Sequence, residues 1–349
     1  MKIAFIIPSL TNKGPIIVVN TIIKNLIDKV DLIDLFYFDD KQDLIFPCKT
    51  YQIKFNKPIN FDNYDIIHSH GYRPDKYLSL WKKNIHKAKI ITTIHSDIKI
   101  DLFYNYNTII SKIFTWKWIK TIQKFDAVVT ISKKLTKLYN LKFKHIYQIY
   151  NGVDIQYNPN KLEPNIESSI QRIKKQNYQI IGTYAYLTKR KGIEQLLNIL
   201  TLRSNLAIVI IGEGKEKKNL IALSKKLAID DRVLFFNYIP TPYNYLSLFD
   251  IYAMCSRSEG FGLALVEAAL TKTPIVCSDI EVFHEIFDEN QVSYFKLDDQ
   301  QSLLQAIDKA LSNQGKEKSQ KAYQHALGQF SGNTMAHNYW ELYKSIIHK

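Results

Sequence analysis

The stretch that decides the fold is residues 249–287, FDIYAMCSRSEGFGLALVEAALTKTPIVCSDIEVFHEIF. An apolar run at 249–253 is followed by a turn, 256–262, that carries Arg257, Glu259, Gly260 and Gly262. Residues 263–270 hold neither Pro nor Gly and favour helix. Residues 274–276 read as the next buried strand, and Ser278-Asp279 offer an N-cap to a helix near 281–287. Strand, glycine turn, helix, strand, turn, helix is the grammar of a parallel sheet covered by helices.

The turn also carries chemistry. Glycines at 260 and 262 leave room for a ligand against the backbone, and the helix that follows points its unpaired N–H groups at the same place. Glu259 stands at the mouth of this cradle, and Glu267 follows in a Glu-x7-Glu spacing, about a turn into the helix. Two carboxylates can each accept two hydroxyl donors, which suits a hydroxyl-rich ligand. The alternative is that Glu259 caps the helix and Glu267 is solvated.

Outward from this stretch, residues 182–197, GTYAYLTKRKGIEQLL, form a strand end, a loop with Lys189, Arg190 and Lys191, and a helix opening at Gly192. Cations at a helix N-terminus oppose the helix dipole. A bound diphosphate would offset that cost; a merely solvated charge run is the alternative. Residues 211–220, IGEGKEKKNL, place Gly212 and Gly214 at another strand end. Strands are expected at 179–183, 207–211, 233–236, 251–253 and 275–276, and helices over much of 191–202, 215–228, 263–271 and 299–312.

The first half repeats the alternation. Residues 1–8, MKIAFIIP, are a continuous apolar strand of the buried parallel kind. A loop with Gly14 and a helix at 16–27 follow, a phosphate-binding opening of the Rossmann type, although its single Gly argues against a dinucleotide cofactor. Further strands are expected at 32–38, 64–68, 88–94 and 127–131, and helices at 75–85, 105–125 and 133–139. His68, His70 and His95 fall at carboxyl ends of strands, where open α/β sheets bind ligands. Residues 145–165 hold an Asn-Gly turn and two prolines and read as a linker. The expected domains are 1–150, 151–332 and a terminal helix, 333–349.

These pieces together resemble the GT-B glycosyltransferases, specifically the retaining group 1, family 4 type that includes bacterial polysaccharide and lipid-sugar synthases. The resemblance runs in order through the Gly14 loop, His95, NGVD at 151–154, Lys191-Gly192, Gly212 and Glu259-x7-Glu267. It implies two Rossmann-like doubly wound α/β domains facing a cleft, with the terminal helix crossing back to the first. It implies that His95, Lys191 and Glu259 serve catalysis. Gly14, His70, Arg190, Gly212, Gly260, Phe261, Gly262, Leu263 and Glu267 would bind substrate, Glu267 at the ribose and His70 near the acceptor. One position departs from the pattern: Tyr186 stands where the family has a diphosphate-binding Arg, so Arg190 or Lys189 must substitute. The implied reaction moves a sugar from a nucleotide-sugar donor to a saccharide or lipid-linked acceptor with retention. There is no Asp-x-Asp, and no metal or other cofactor is expected.

Composition agrees with a globular enzyme: 46% of the 349 residues are hydrophobic and 13% aromatic. Three cysteines lack metal or disulfide spacing. No run reads as a membrane span. The net charge of +14 is uneven. Residues 1–150 hold 24 Lys and Arg against 12 Asp and no Glu, a net +12, which implies an anionic partner. In helix 105–125, Phe114, Trp118, Ile119, Ile122 and Phe125 share one face. Lys112, Lys117, Lys120 and Lys124 lie opposite, with Ile113 and Trp116 among them. This is either a core helix with a solvated basic face or an interfacial helix on an anionic membrane. The expected location is cytoplasmic, peripheral on the inner face of the membrane. A nucleotide-sugar epimerase would need extra acid/base carboxylates in the first half, which has no Glu and whose Asp residues mostly sit at helix ends or turns, and no nucleic-acid-binding motif is present.

Overall fold

The computed structural model describes residues 1–105 and 108–348. The chain divides into two compact units, Met1–Asp154 with Gln329–Lys349, and Ile155–Gly328. Each is a parallel sheet covered by helices.

The first unit has strands β1 (Lys2–Leu10), β2 (Leu32–Gln42), β3 (Lys49–Gln52), β4 (Ile66–His70), β5 (Lys89–Ile94), β6 (Ala127–Thr130) and β7 (Ile146–Gln148). They lie in the order β3-β2-β1-β4-β5-β6-β7, so the order reverses beside β1, where such sheets bind ligands. The helices of its chain segment 1–154 are α1 (Gly14–Leu26), α2 (Tyr72–Trp81), α3 (Ile98–Asn105), α4 (Thr108–Ile122) and α5 (Lys133–Tyr139). In β1, Ile3 to Ile7 are fully buried, which is why the run is apolar without alternation.

The second unit has α6 (Pro164–Lys174), β8 (Gln179–Tyr184), α7 (Glu194–Leu200), β9 (Leu206–Ile211), α8 (Lys217–Lys226), β10 (Val233–Phe236) and β11 (Ile251–Met254). It continues with α9 (Leu263–Leu270), β12 (Ile275–Ser278), α10 (Glu281–His284), β13 (Ser293–Phe295), α11 (Gln300–Leu311) and α12 (Asn313–Gln329). The sheet order is β10-β9-β8-β11-β12-β13. Its core gathers Ile181, Leu196, Leu200, Ile208, Ile210, Ile251, Val276 and Ile307. The last helix, α13 (Gly332–Ile347), belongs to the first unit and packs on α1.

Several expectations shift for local reasons. The linker reading of 145–165 overlaps β7 and the start of α6, because Pro164 sits in that helix's first turn, where its missing N–H costs nothing. Ser278-Asp279 do not cap the next helix: α10 has Ile280 at its N-cap with no side-chain bond. The helix expected at 105–125 is α4, ending at Ile122 and preceded by α3; residues 106 and 107 lie outside the described residues. Of its expected apolar face, Ile122 and Phe125 are buried and Trp118 and Ile119 partly so, whereas Phe114 is 42% exposed.

Candidate functional site

In the second unit two strand-end loops are bound together. The loop after β8 makes one 3-10 turn at Lys189–Lys191 and ends at Gly192, whose φ of +62° is left-handed. A Cβ there would lie 2.3 Å from the Cys255 carbonyl oxygen, so glycine is required twice over. The Arg257 amide donates to the Arg190 carbonyl at 2.8 Å, and the Gln195 amide group donates to the carbonyls of Gly192 and Cys255, both at 3.1 Å. Arg257 closes the seam with ion pairs to Glu194 at 2.7 Å and Asp298 at 2.6 Å.

Glu259 is the centre of charge in this seam. Lys191 Nζ donates to its Oε1 at 2.7 Å and Arg190 Nη1 to its Oε2 at 3.3 Å, while Arg190 also donates to the Ser258 carbonyl at 2.9 Å. Burial by itself would raise the Glu259 pKa, but the Lys191 and Arg190 charges outweigh it and hold the carboxyl below its usual range. Glu259 does not cap α9: the N-cap is Gly262, without a side-chain bond. The amide groups of the first turn of α9 are thus left without a side-chain cap, beside Gly260 and Gly262. Phe261 is buried and Leu263 partly so. Lys189 and Tyr186 both point to solvent, Tyr186 with 62% of its surface exposed.

Glu267 lies one turn into α9 and accepts a 2.7 Å hydrogen bond from the Tyr184 hydroxyl at the end of β8. Burial pushes its carboxyl up to about 7, against the lowering effect of that bond. The Tyr184 and Tyr252 rings stand 5.0 Å apart beside it. Tyr184, Arg257 and Gln195 were not among the residues expected from the sequence to form a site. The only signal for Tyr184 was a polar aromatic at a strand end.

Gly212 and Gly214 answer to packing. Both have positive φ, and a Cβ on them would strike the Ala185 and Leu187 carbonyl oxygens at 2.0 and 2.2 Å. They let the loop after β9 lie against the loop after β8.

In the first unit, β4 and β5 pair with His70 beside Thr93, which brings three histidines into one row. His68 bonds the Tyr343 hydroxyl at 2.7 Å and the Thr93 hydroxyl at 2.8 Å, and Thr93 bonds the Tyr339 hydroxyl at 3.0 Å. His70 Nδ1 lies 2.8 Å from His95 Nε2. Burial drives all three imidazoles well below their ordinary pKa, His68 and His95 to about 3. His70 is 1% exposed, so its near partner is His95 and not a group in solvent. Gly14 opens α1, whose N-cap Lys13 makes no side-chain cap. On the other face of the sheet, the buried Asp75 accepts from Ser69, Thr92 and, at 2.6 Å, from the Trp118 indole of α4. Among the described residues no cluster of three His, Cys, Asp or Glu side chains is placed to hold a metal ion.

The profile described as "Glycosyl transferases group 1" matches residues 165–327, and that described as "Glycosyltransferase Family 4" matches residues 35–157. The chain is 33% identical to the O-antigen biosynthesis glycosyltransferase WclY of Escherichia coli, over 99% of each chain. It is 26% identical, over 63% of this chain and 58% of the other, to the N-acetylgalactosamine-N,N'-diacetylbacillosaminyl-diphospho-undecaprenol 4-alpha-N-acetylgalactosaminyltransferase of Campylobacter jejuni. The fold is similar to that of Anabaena HepE solved in complex with UDP-glucose, with a TM-score of 0.82, 19% identity and coverage of 99% of this chain and 100% of that one. Family-matched in both halves and similar to a glycosyltransferase along almost its whole length, the chain belongs to the group 1 glycosyltransferases, built on the two Rossmann-like units of the GT-B fold.

Proposed function

We propose that this glycosyltransferase moves a sugar from a nucleoside diphosphate sugar to a lipid-linked saccharide during assembly of a cell-surface polysaccharide of the O-antigen kind, with retention and without a metal. The observation that carries the reading is the pairing of Lys191 and Arg190 on the buried Glu259, with Glu267 on the same helix. Two cations held in a desolvated seam supply what a departing diphosphate needs. Arg190 takes the part of the Arg that Tyr186 replaces, since it reaches the same carboxylate as Lys191 while Lys189 faces solvent. Glu267 binds the ribose, the Gly260–Gly262 backbone and Glu259 meet the sugar, and His95 serves catalysis by meeting a substrate oxygen.

The reaction runs at one face of the sugar. The bond from the anomeric carbon to the diphosphate oxygen breaks, and the acceptor oxygen bonds to that carbon on the same side. The acceptor's hydroxyl proton passes to the departing phosphate oxygen. The names of the two relatives support the acceptor class, since one acts in O-antigen biosynthesis and the other on a diphospho-undecaprenol glycan. The first half's net charge of +12 and the exposed apolar residues of α4 support work on an anionic membrane from the cytoplasmic side. Among the described residues no helix is long and apolar enough to cross one.

The test is incubation with a panel of UDP- and GDP-sugars, without acceptor, followed by mass spectrometry. Slow hydrolysis of one donor, abolished in Lys191→Ala, is expected, and NMR of the product formed on a lipid-linked acceptor should show the donor's anomeric configuration. Hydrolysis of no donor, or an inverted product, overturns the reading.

A further inference from the structure

The histidine pair of the first unit holds more than a contact distance. His70 Nδ1 and His95 Nε2 are 2.8 Å apart, so one and only one of them carries the proton between them. Burial keeps both rings neutral, so each has a single N–H. The other nitrogen of His70, Nε2, is buried with no hydrogen-bond partner. Two arrangements remain. If His95 donates from Nε2, then His70 accepts at Nδ1 and its N–H is stranded on Nε2 in the core. If His70 donates from Nδ1, the stranded atom is a bare nitrogen. Orphaned buried N–H donors are rarer than under-satisfied acceptors, so the second arrangement is the stable one.

The surroundings leave His70 little freedom to choose otherwise. Its ring is 4.3 Å from that of His68 and 6.2 Å from Phe5. His68 is itself fixed at both nitrogens, by Tyr343 and Thr93, and so offers His70 Nε2 nothing. His95, by contrast, is only partly buried, and its Nδ1 has no hydrogen-bond partner among the described residues.

We infer that His70 is a positioning residue: its Nδ1–H donates to His95 Nε2 and thereby locks His95 in the tautomer that presents an Nδ1–H donor to a substrate oxygen. The inference rests on the reading that His95 meets a substrate oxygen, and it fixes the sense of that contact. His95 gives a hydrogen bond to that oxygen and does not receive one. His70, which the resemblance put against the acceptor, acts from behind the site.

The test is nitrogen-15 NMR of histidine-labelled, full-length protein, using long-range correlations that distinguish protonated from bare ring nitrogens. The His95 signals are assigned by their loss in His95→Gln. The expected spectrum has His95 protonated on Nδ1 and bare on Nε2, and His70 protonated on Nδ1. A His95 protonated on Nε2 overturns the inference whatever His95 does in catalysis. His70→Leu should abolish the tautomer lock and lower kcat about 10- to 100-fold, the usual range for losing one placed group. Its affinity for UDP or GDP, whichever the donor screen selects, should be unchanged by calorimetry. His70→Gln keeps an amide donor and should recover most of the rate at the same melting temperature as His70→Leu. If both variants lose rate equally while folded, His70 is packing only and the inference fails. If the tautomer is as expected but His95→Gln leaves turnover intact, the lock stands and the substrate-contact reading falls.

Discussion

At the scale of the residue, the proposed reaction turns on which cation touches the buried carboxylate. Lys191 and Lys189 are two positions apart, but only Lys191 reaches Glu259, and Lys189 is exposed. Lys191→Ala should therefore cost about 2–4 kcal/mol of transition-state stabilisation, a rate loss on the order of 100-fold, whereas Lys189→Ala should stay within about twofold. Equal, mild losses in steady-state kinetics would reduce the loop to a solvated charge run. Glu267 gives a prediction in pH. Its carboxyl titrates near 7 when folded, against roughly 4.3 for an ordinary Glu. The folded state thus binds the extra proton between these values, and stability falls as pH rises through that window. Glu267→Gln removes the burial penalty of the charged form. Its stability should exceed that of the parent by about 3–4 kcal/mol at pH 8, seen as a higher melting temperature, and match it below about pH 4. Its affinity for the nucleoside diphosphate should fall. A melting difference independent of pH would contradict the titration. The Glu-x7-Glu spacing and Lys191-Gly192 were legible in the sequence because a turn and a helix place them locally. Tyr184 was not, because its bond to Glu267 spans 83 residues and exists only once β8 and α9 are neighbours.

At the scale of the element, α4 is the odd helix. It packs on α2 and α3 and is tethered by Trp118 to the buried Asp75. Yet Ile109 is 71% exposed, Ile113 48% and Trp116 60%, beside the exposed Lys112, Lys117 and Lys120. Exposed apolar residues among lysines fit the boundary of a bilayer better than water. The protein should sediment with phosphatidylglycerol vesicles at low salt and much less at high salt, with little binding to neutral vesicles. Each lysine near the surface contributes about 1 kcal/mol, so the triple change to Gln should weaken binding on the order of 100-fold while donor hydrolysis persists. No sedimentation at low salt would return α4 to the role of an ordinary packing helix. The helix's alternative readings were visible in its sequence; which apolar residues are covered was not. Helical periodicity assigns a face but not a neighbour, and here Ser111 and Ile122 are covered while Phe114, on the expected apolar face, stays 42% exposed. The short strands β3, β7 and β13 escaped for a related reason: β3 is wholly exposed, an edge strand without an apolar run to announce it.

At the scale of the molecule, the two units are not two consecutive halves of the chain. The C-terminal helix α13 completes the first unit, burying Met335, Tyr339, Leu342, Tyr343 and Ile346. Five such side chains, at about 1.5–3 kcal/mol each when fully buried, approach the entire stability of an ordinary domain. A chain ending at Gly328 should therefore lose the first unit's melting transition while the second unit keeps its own and still binds the nucleoside diphosphate. Retention of both transitions by calorimetry would show that α13 is dispensable. The sequence by itself determined the α/β class, the strand-end positions of His70 and His95 (His68 lies mid-strand in β4), the glycine turn with its two glutamates and the basic first half. All of these are written in periodicity, punctuation and composition over a few residues, where local geometry suffices. The tertiary structure alone decided that Lys191 and Arg190 share Glu259, and that Gly212 and Gly214 make room for neighbouring carbonyls. It alone decided that His70 stands behind His95 and that α13 closes over His68. Each joins residues far apart in the chain, and only the pairing of parallel strands, which follows from packing the whole sheet, sets their distances.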